Sequence, residues 1–202
     1  SSASTINSNT YHGSATANNR IGQVVLTLST NSASGITFSS TVNGNYTLST
    51  TTDTGGQVTF SDTIGNSTAI NGLTVSAADI DTSTIALQNS AAVSITITGT
   101  SSDVAAISGT SATLTKAGTG TLTLTGANTY SGATTINAGT LKATGTLSDS
   151  TAITVASGAT YDFDATDTVG SIAGAGTINI ASSQTLSAGN DNSTTEFSGV
   201  LE

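Results

Sequence analysis

Residues 116–145 read KAGTGTLTLTGANTYSGATTINAGTLKATG, a run spent on Thr, Gly, Ala and a few spaced aliphatics. It contains no Pro and no acidic residue, and its bulky apolar side chains are Leu122, Leu124, Tyr130, Ile136 and Leu141. Leu122 and Leu124 alternate with Thr, which places both on one face of a strand. Thr is β-branched, stiff at χ1 and suited to a half-buried pleated surface rather than a helix. The intervening Gly residues supply the positive-φ positions that sharp corners require. The run therefore reads as short strands joined by corners, each too short to close a core alone.

The same grammar extends in both directions. Val24-Leu26-Leu28, Leu73-Val75, Ile85-Leu87, Val93-Ile95-Ile97, Ile153-Val155 and Ile178-Ile180 all alternate with small or polar residues. Thr37-Phe38-Ser39-Ser40-Thr41-Val42 recurs as Thr59-Phe60-Ser61-Asp62-Thr63-Ile64, preceded in the two copies by Gly35 and Gly56. A looser echo is Glu196-Phe197-Ser198-Gly199-Val200. Stacked at that period, short strands bury one continuous core, as solenoids do. Asn43-Gly44, Asn71-Gly72, Gly118 to Gly120, Ser131-Gly132, Ala138-Gly139 and Gly174 to Gly176 are the expected corners. The lack of Pro fits, because an interior rung needs every N–H. A β-sandwich of hairpins is the alternative, disfavoured because Asn-Gly turns are few and the repeat outruns a hairpin.

The expectation is thus all-β: a single parallel β-helix of roughly 8–10 coils spaced about 4.8 Å apart. Phe38, Phe60, Leu122, Leu124, Ile136, Leu141, Ile153, Val155, Ile178 and Ile180 should point inward. Phe38 and Phe60 should stack on neighbouring coils. Residues 1–34 are expected to form an irregular or capping N-terminal part or the first coils, and residues 35–202 the repeats.

Composition narrows the function. Only 7% of the 202 residues are charged, against about 25% in an ordinary domain. The net charge is −9, with three basic residues, Arg20, Lys116 and Lys142. That is too few to neutralise nucleic-acid phosphates or to bind an anionic membrane surface. No run reaches the ~18 apolar residues of a membrane-crossing helix. The absence of Cys excludes disulfides and thiolate metal sites. With no initiator Met and no signal-peptide pattern, the sequence is expected to be a mature or excised piece of a longer precursor.

Leu114-Thr115-Lys116-Ala117-Gly118-Thr119-Gly120-Thr121-Leu122-Thr123-Leu124, then Asn128-Thr129-Tyr130-Ser131-Gly132, then Thr134-Thr135-Ile136-Asn137-Ala138-Gly139-Thr140-Leu141 resembles the autotransporter-associated β-strand repeat. Ala159 to Phe163, Thr168 to Ile178, Thr185 to Gly189 and Asn192 to Val200 resemble the coils that follow it, so the likeness spans about residues 112–201. Residues 35–100 more loosely resemble degenerate strand repeats of giant secreted proteins. The resemblance implies a right-handed β-helix exported by a Gram-negative bacterium, as a stalk or passenger of a large surface protein. No alternating strands of an outer-membrane barrel are present in this sequence. Part of something larger, or export by another route, is therefore expected.

Chemistry-bearing residues are scarce. His12 is the single histidine, so any Ser-His-Asp triad or His-based metal site must include it; beside Tyr11 and Gly13 it reads as an exposed or capping residue. Asp162, Asp164 and Asp167 form the one acidic cluster, TYDFDATD. Asp162 and Asp164 share a strand face, a spacing that suits weak Ca²⁺ ligation or a glycosidase-like carboxylate pair. No Lys, Arg or His lies nearby in sequence to assist them and no Trp offers a sugar platform. A polar outer face opposite inward Tyr161 and Phe163 is the simpler reading. Gly118-Thr119-Gly120 lacks the G-K-[ST] ending of a phosphate loop and reads as a corner.

The functional expectation is a structural or adhesive extracellular segment, a stalk, fibre or coat, with no catalysis and no cofactor. Its expected partners are another copy stacked end to end, flanking coils of the same parent chain, or a ligand on a host or neighbouring cell. A self-assembling filament or S-layer subunit is the alternative, and a carbohydrate-active β-helix enzyme the second alternative.

Overall fold

The computed structural model describes residues 14–20, 23–30, 35–53, 55–100 and 102–202. Among them every regular element is a strand. In chain order these are β1 (Ser14–Arg20), β2 (Gln23–Ser29), β3 (Ile36–Phe38), β4 (Tyr46–Thr51), β5 (Gln57–Phe60), β6 (Ile70–Ala77) and β7 (Asp79–Ile97). Next come β8 (Ser102–Ser108), β9 (Thr113–Ala117), β10 (Thr121–Leu124), β11 (Thr134–Ile136), β12 (Thr140–Ala143) and β13 (Ala152–Val155). The last are β14 (Thr160–Phe163), β15 (Asp167–Val169), β16 (Ser171–Gly174), β17 (Thr177–Ile180), β18 (Leu186–Ala188) and β19 (Val200–Leu201).

The strands stack into ladders that run along one axis. The first ladder climbs through β2, β4, β6, the C-terminal part of β7, β9, β11, β13 and β16, all parallel. The second climbs through β3, β5, the start of β7, β8, β10, β12, β14, β17 and β19. A narrower third edge is made by the bridges Val42–Ile64–Ile85 and by β15 on β18. β7 is long enough to pass around all three, pairing in turn with β5, β8 and β6. The result is a parallel β-solenoid of about 8 turns, at the lower end of the expected range. The one antiparallel pair among the described residues is β1 against β2, so the hairpin sandwich is excluded.

Register converts the period-2 pattern into columns of inward side chains. On the second ladder one column runs Phe38, Phe60, Thr82, Val104, Leu124, Ala143, Phe163, Ile180. All the residues expected inward are buried except Ile180, which is half-buried. It sits beneath the last rung, where β19 reaches only as far as the partner of Ile178. Phe38 and Phe60 are register partners on consecutive coils.

Two local expectations are corrected. Asn71-Gly72 is not a corner: it lies inside β6, where the register against β7 shifts between Ile70 and Gly72. Between those pairs β6 advances two residues and β7 five, from Leu87 to Ala92, so the surplus on β7 is absorbed as an irregularity of the ladder at the cost of local pairing. The echo at Phe197 does not share the place of Phe38 and Phe60. It bridges Gly174 on the first ladder, because sequence similarity in so repetitive a chain does not fix which face a coil has reached.

Candidate functional site

His12 lies outside the described residues. The three aspartates grouped by sequence are separated by the fold. Asp162 and Asp164 do share a face, outside the inward Tyr161 and Phe163. Asp167 stands beyond the next corner on β15.

The outward pair is already engaged. Lys142, one coil below, is the register partner of Asp162. Its Nζ lies 3.1 Å from Asp162 Oδ2 and 2.6 Å from Asp164 Oδ2. Both carboxylates thus share one ammonium, and the hydrogen bonds it donates to them, that to Asp164 foremost, raise the Lys142 pKa. Reading along the sequence alone finds no basic residue near this cluster. The register of Thr140-Leu141-Lys142-Ala143 over Thr160-Tyr161-Asp162-Phe163 supplies one.

Asp167 is a backbone cap: its Oδ2 accepts the Leu147 N–H at 2.6 Å. Burial pushes its pKa up, against the opposing hydrogen bonds from the Leu147 and Thr168 amides. Among the described residues no three His, Cys, Asp or Glu side chains converge as a metal-ligand set. A shallow cleft of about 340 Å³ follows one corner over three coils, lined by Thr52, Asp53, Ser76, Ala77, Ala78, Thr96 and Thr98. It offers a single carboxylate, whereas glycoside hydrolysis uses two flanking the bond.

The concentrated chemistry lies inside coils 114–143, and it is structural. Lys116 follows Leu114 at strand spacing, so its side chain enters the core column between Ile95 and Ile136. It is fully buried. Its Nζ donates to the carbonyls of Ala117 at 2.8 Å, Gly118 at 2.9 Å and Ala138 at 3.2 Å. The stem packs among aliphatics while the ammonium reaches the corner. Burial lowers its pKa to about 8. Gly118 and Gly139 hold that corner with φ of 75° and 65°. A Cβ at Gly118 would strike the Ile97 carbonyl, and one at Gly139 the carbonyls of Gly118 and Gly120. The Gly118-Thr119-Gly120 segment is therefore a corner and cradles no phosphate-loop helix.

The opposite corner is tied by Asn128. Its Oδ1 accepts the Ile107 N–H from the coil below at 2.9 Å. Its Nδ2 donates to Gly126 O at 2.9 Å and to Thr146 O of the coil above at 3.1 Å. Tyr130 is fully buried, with its hydroxyl 2.6 Å from Thr134 Oγ1; burial raises its pKa and the Thr134 contact opposes this. The Tyr130 carbonyl accepts from Thr151 Oγ1 of the next coil at 3.1 Å. Every one of these buried polar groups is satisfied, which is what keeps a polar interior from destabilising a core. None of them pairs a nucleophile with a base.

Comparison with curated proteins and with solved structures gave no match. A family model did match. Residues 114–143, the coils held by Lys116, Asn128 and Tyr130, match the passenger-associated-transport-repeat, and they lie within a β-solenoid, which is consistent with an autotransporter passenger repeat.

Proposed function

We propose that this segment is a stalk or coat of a passenger at the bacterial cell surface, extending or covering without catalysing a reaction. The observation that carries this reading is the pair of parallel ladders that run through the described coils, with the matched passenger repeat built into them. Backbone hydrogen bonds directed along the axis resist extension and local opening together, because each rung is held by the one above and below. The outward column Thr27, Ser49, Thr74, Ser94, Thr115, Thr135, Thr154 presents neutral side chains on successive coils. A surface of that kind is insensitive to ionic strength, which suits an extracellular role.

The test is surface display. The chain is fused ahead of an outer-membrane translocator barrel in a Gram-negative host and probed with externally added protease and by electron microscopy. Export of a protease-resistant rod is expected; retention inside the cell or rapid external degradation would refute the reading. Adhesion is a narrower part of the same proposal, tested by binding of the displaying cells to host or neighbouring cells.

A second reading, end-to-end assembly, is favoured by one observation. The last described coil presents Val200 and Leu201, 52% and 65% exposed, on a rung with one bare edge. Such an edge templates further strand pairing, whether by another copy or by further coils of the parent chain. Sedimentation of the purified chain across a concentration series distinguishes these: assembly predicts growth with concentration, and a constant monomer contradicts it.

A further inference from the structure

Among the described residues, Lys116 is the lysine whose charge has no carboxylate partner; both ion pairs belong to Lys142. It faces Ile95 on β7 and Ile136 on β11. An unpaired ammonium taken from water into an apolar column costs several kcal/mol unless its donors are met. They are met in full. An ammonium has three N–H donors, and three carbonyls converge on it: Ala117 and Gly118 from its own coil, Ala138 from the next. The corner is shaped to allow this. Gly118 and Gly139 both adopt positive φ, and neither has room for a Cβ. The carbonyls are thus brought together by backbone that tolerates no other residue.

We propose that the corner formed by Ala117, Gly118 and Ala138 is a built site for a primary ammonium group, that Lys116 occupies it, and that its occupancy locks the register between two successive coils. The lock sits at the start of the matched repeat and spans to its last corner. Two backbone bonds cross the same junction and report on it: Asn137 N–H to Lys116 O at 2.9 Å, and Thr140 N–H to Gly120 O at 3.1 Å. Emptying the site leaves three converging acceptors unsatisfied, so the corner opens locally before the rest of the solenoid does. A purely space-filling lysine stem would have no such effect, since Met replaces its volume and lacks its donors.

The experiment is residue-resolved amide exchange on the full chain and on Lys116→Met and Lys116→Ala. In Lys116→Met, exchange at Asn137 and Thr140 is expected to quicken by about tenfold to a hundredfold, the loss of charge-assisted hydrogen bonds. Ser61, several coils from Lys116, donates its amide to Phe38 O on the adjacent coil and should be unchanged. In Lys116→Ala, added n-propylammonium replaces the missing atoms and should restore protection at Asn137 and Thr140, whereas tetramethylammonium, a cation with no N–H, should not. Wild-type protection at both amides in Lys116→Met would overturn the proposal. So would equal effects of the two cations, or a uniform acceleration across all coils. Should Lys116→Ala not fold alone, recovery of its folding by n-propylammonium and not by tetramethylammonium supports the site, and failure of both overturns it.

Discussion

Phe38 and Phe60 stack face to face on consecutive coils, with ring centroids 4.6 Å apart and planes 5° from parallel. The offset between them in sequence is therefore one turn of the solenoid, and the repeat of Thr37 to Val42 at Thr59 to Ile64 is a structural period. Truncating either ring to Ala should destabilise the chain by about 3–5 kcal/mol. A double-mutant cycle in urea unfolding should give a coupling of about 0.5–1.5 kcal/mol between them. Strict additivity would mean the rings are neighbours without interacting.

The next rung of the same column holds Thr82 above Phe60. Its hydroxyl is buried and has no hydrogen-bond partner among the described residues. Thr82→Val keeps the shape and removes an unsatisfied polar group, so it should stabilise the chain by about 1 kcal/mol. A loss of stability on thermal or urea unfolding would contradict this.

Lys116 gives the chain a specific response to alkaline pH. Burial lowers its pKa from 10.5 to about 8 in the folded chain. Between those values the unfolded chain binds more protons than the folded one, so this residue makes stability rise with pH across that window. Below about 8 the side chain is protonated in both states, and its contribution does not vary with pH. The stability of the wild type relative to Lys116→Met should therefore increase as the pH is raised from about 8 to about 10.5. A difference that stays constant across that range would contradict it.

Much of this architecture is legible in the sequence because each signal is local. Alternation at Leu122 and Leu124, or at Ile153 and Val155, needs no knowledge of neighbouring coils to name an inward face. Phe38 and Phe60 needed only a visible repeat. The interior of the repeat was harder to read for a physical reason. Lys116 keeps the phase of Leu114 and Ile136, and that phase was the available clue, but a charged residue is assigned outward until acceptors for its ammonium are known. Those acceptors include Ala138 on the following coil. Lys142 likewise meets Asp162 and Asp164 only through inter-coil register, which an irregularity such as that before Gly72 or a change in coil length shifts without any local mark. Asn128 reads as a loop residue and acts as a bridge across three coils.

The outward ion cluster should contribute little. Lys142, Asp162 and Asp164 are each partly exposed, and pairs of this kind are worth about 0–1 kcal/mol. Replacing Asp162 and Asp164 together by Asn should change unfolding stability by no more than that, and added Ca²⁺ should not raise the melting temperature of the wild type appreciably. A large Ca²⁺-dependent rise, abolished in the double variant, would reassign the cluster as a metal site.

The stacking itself is measurable in solution. Ser49, Thr74, Ser94, Thr115, Thr135 and Thr154 follow one another outward on successive rungs of the first ladder. The chain has no Cys, so paired spin labels can be placed at Ser49 and, in separate samples, at Thr135 or Thr154, and Thr27 with Thr154 extends the series. Electron–electron distance measurements should give separations that grow by about 4.8 Å for each coil between the labels, about 24 Å for Ser49 with Thr154. Distances that do not increase in coil order would contradict the solenoid, and with it the assignment of this chain as an extended structural segment.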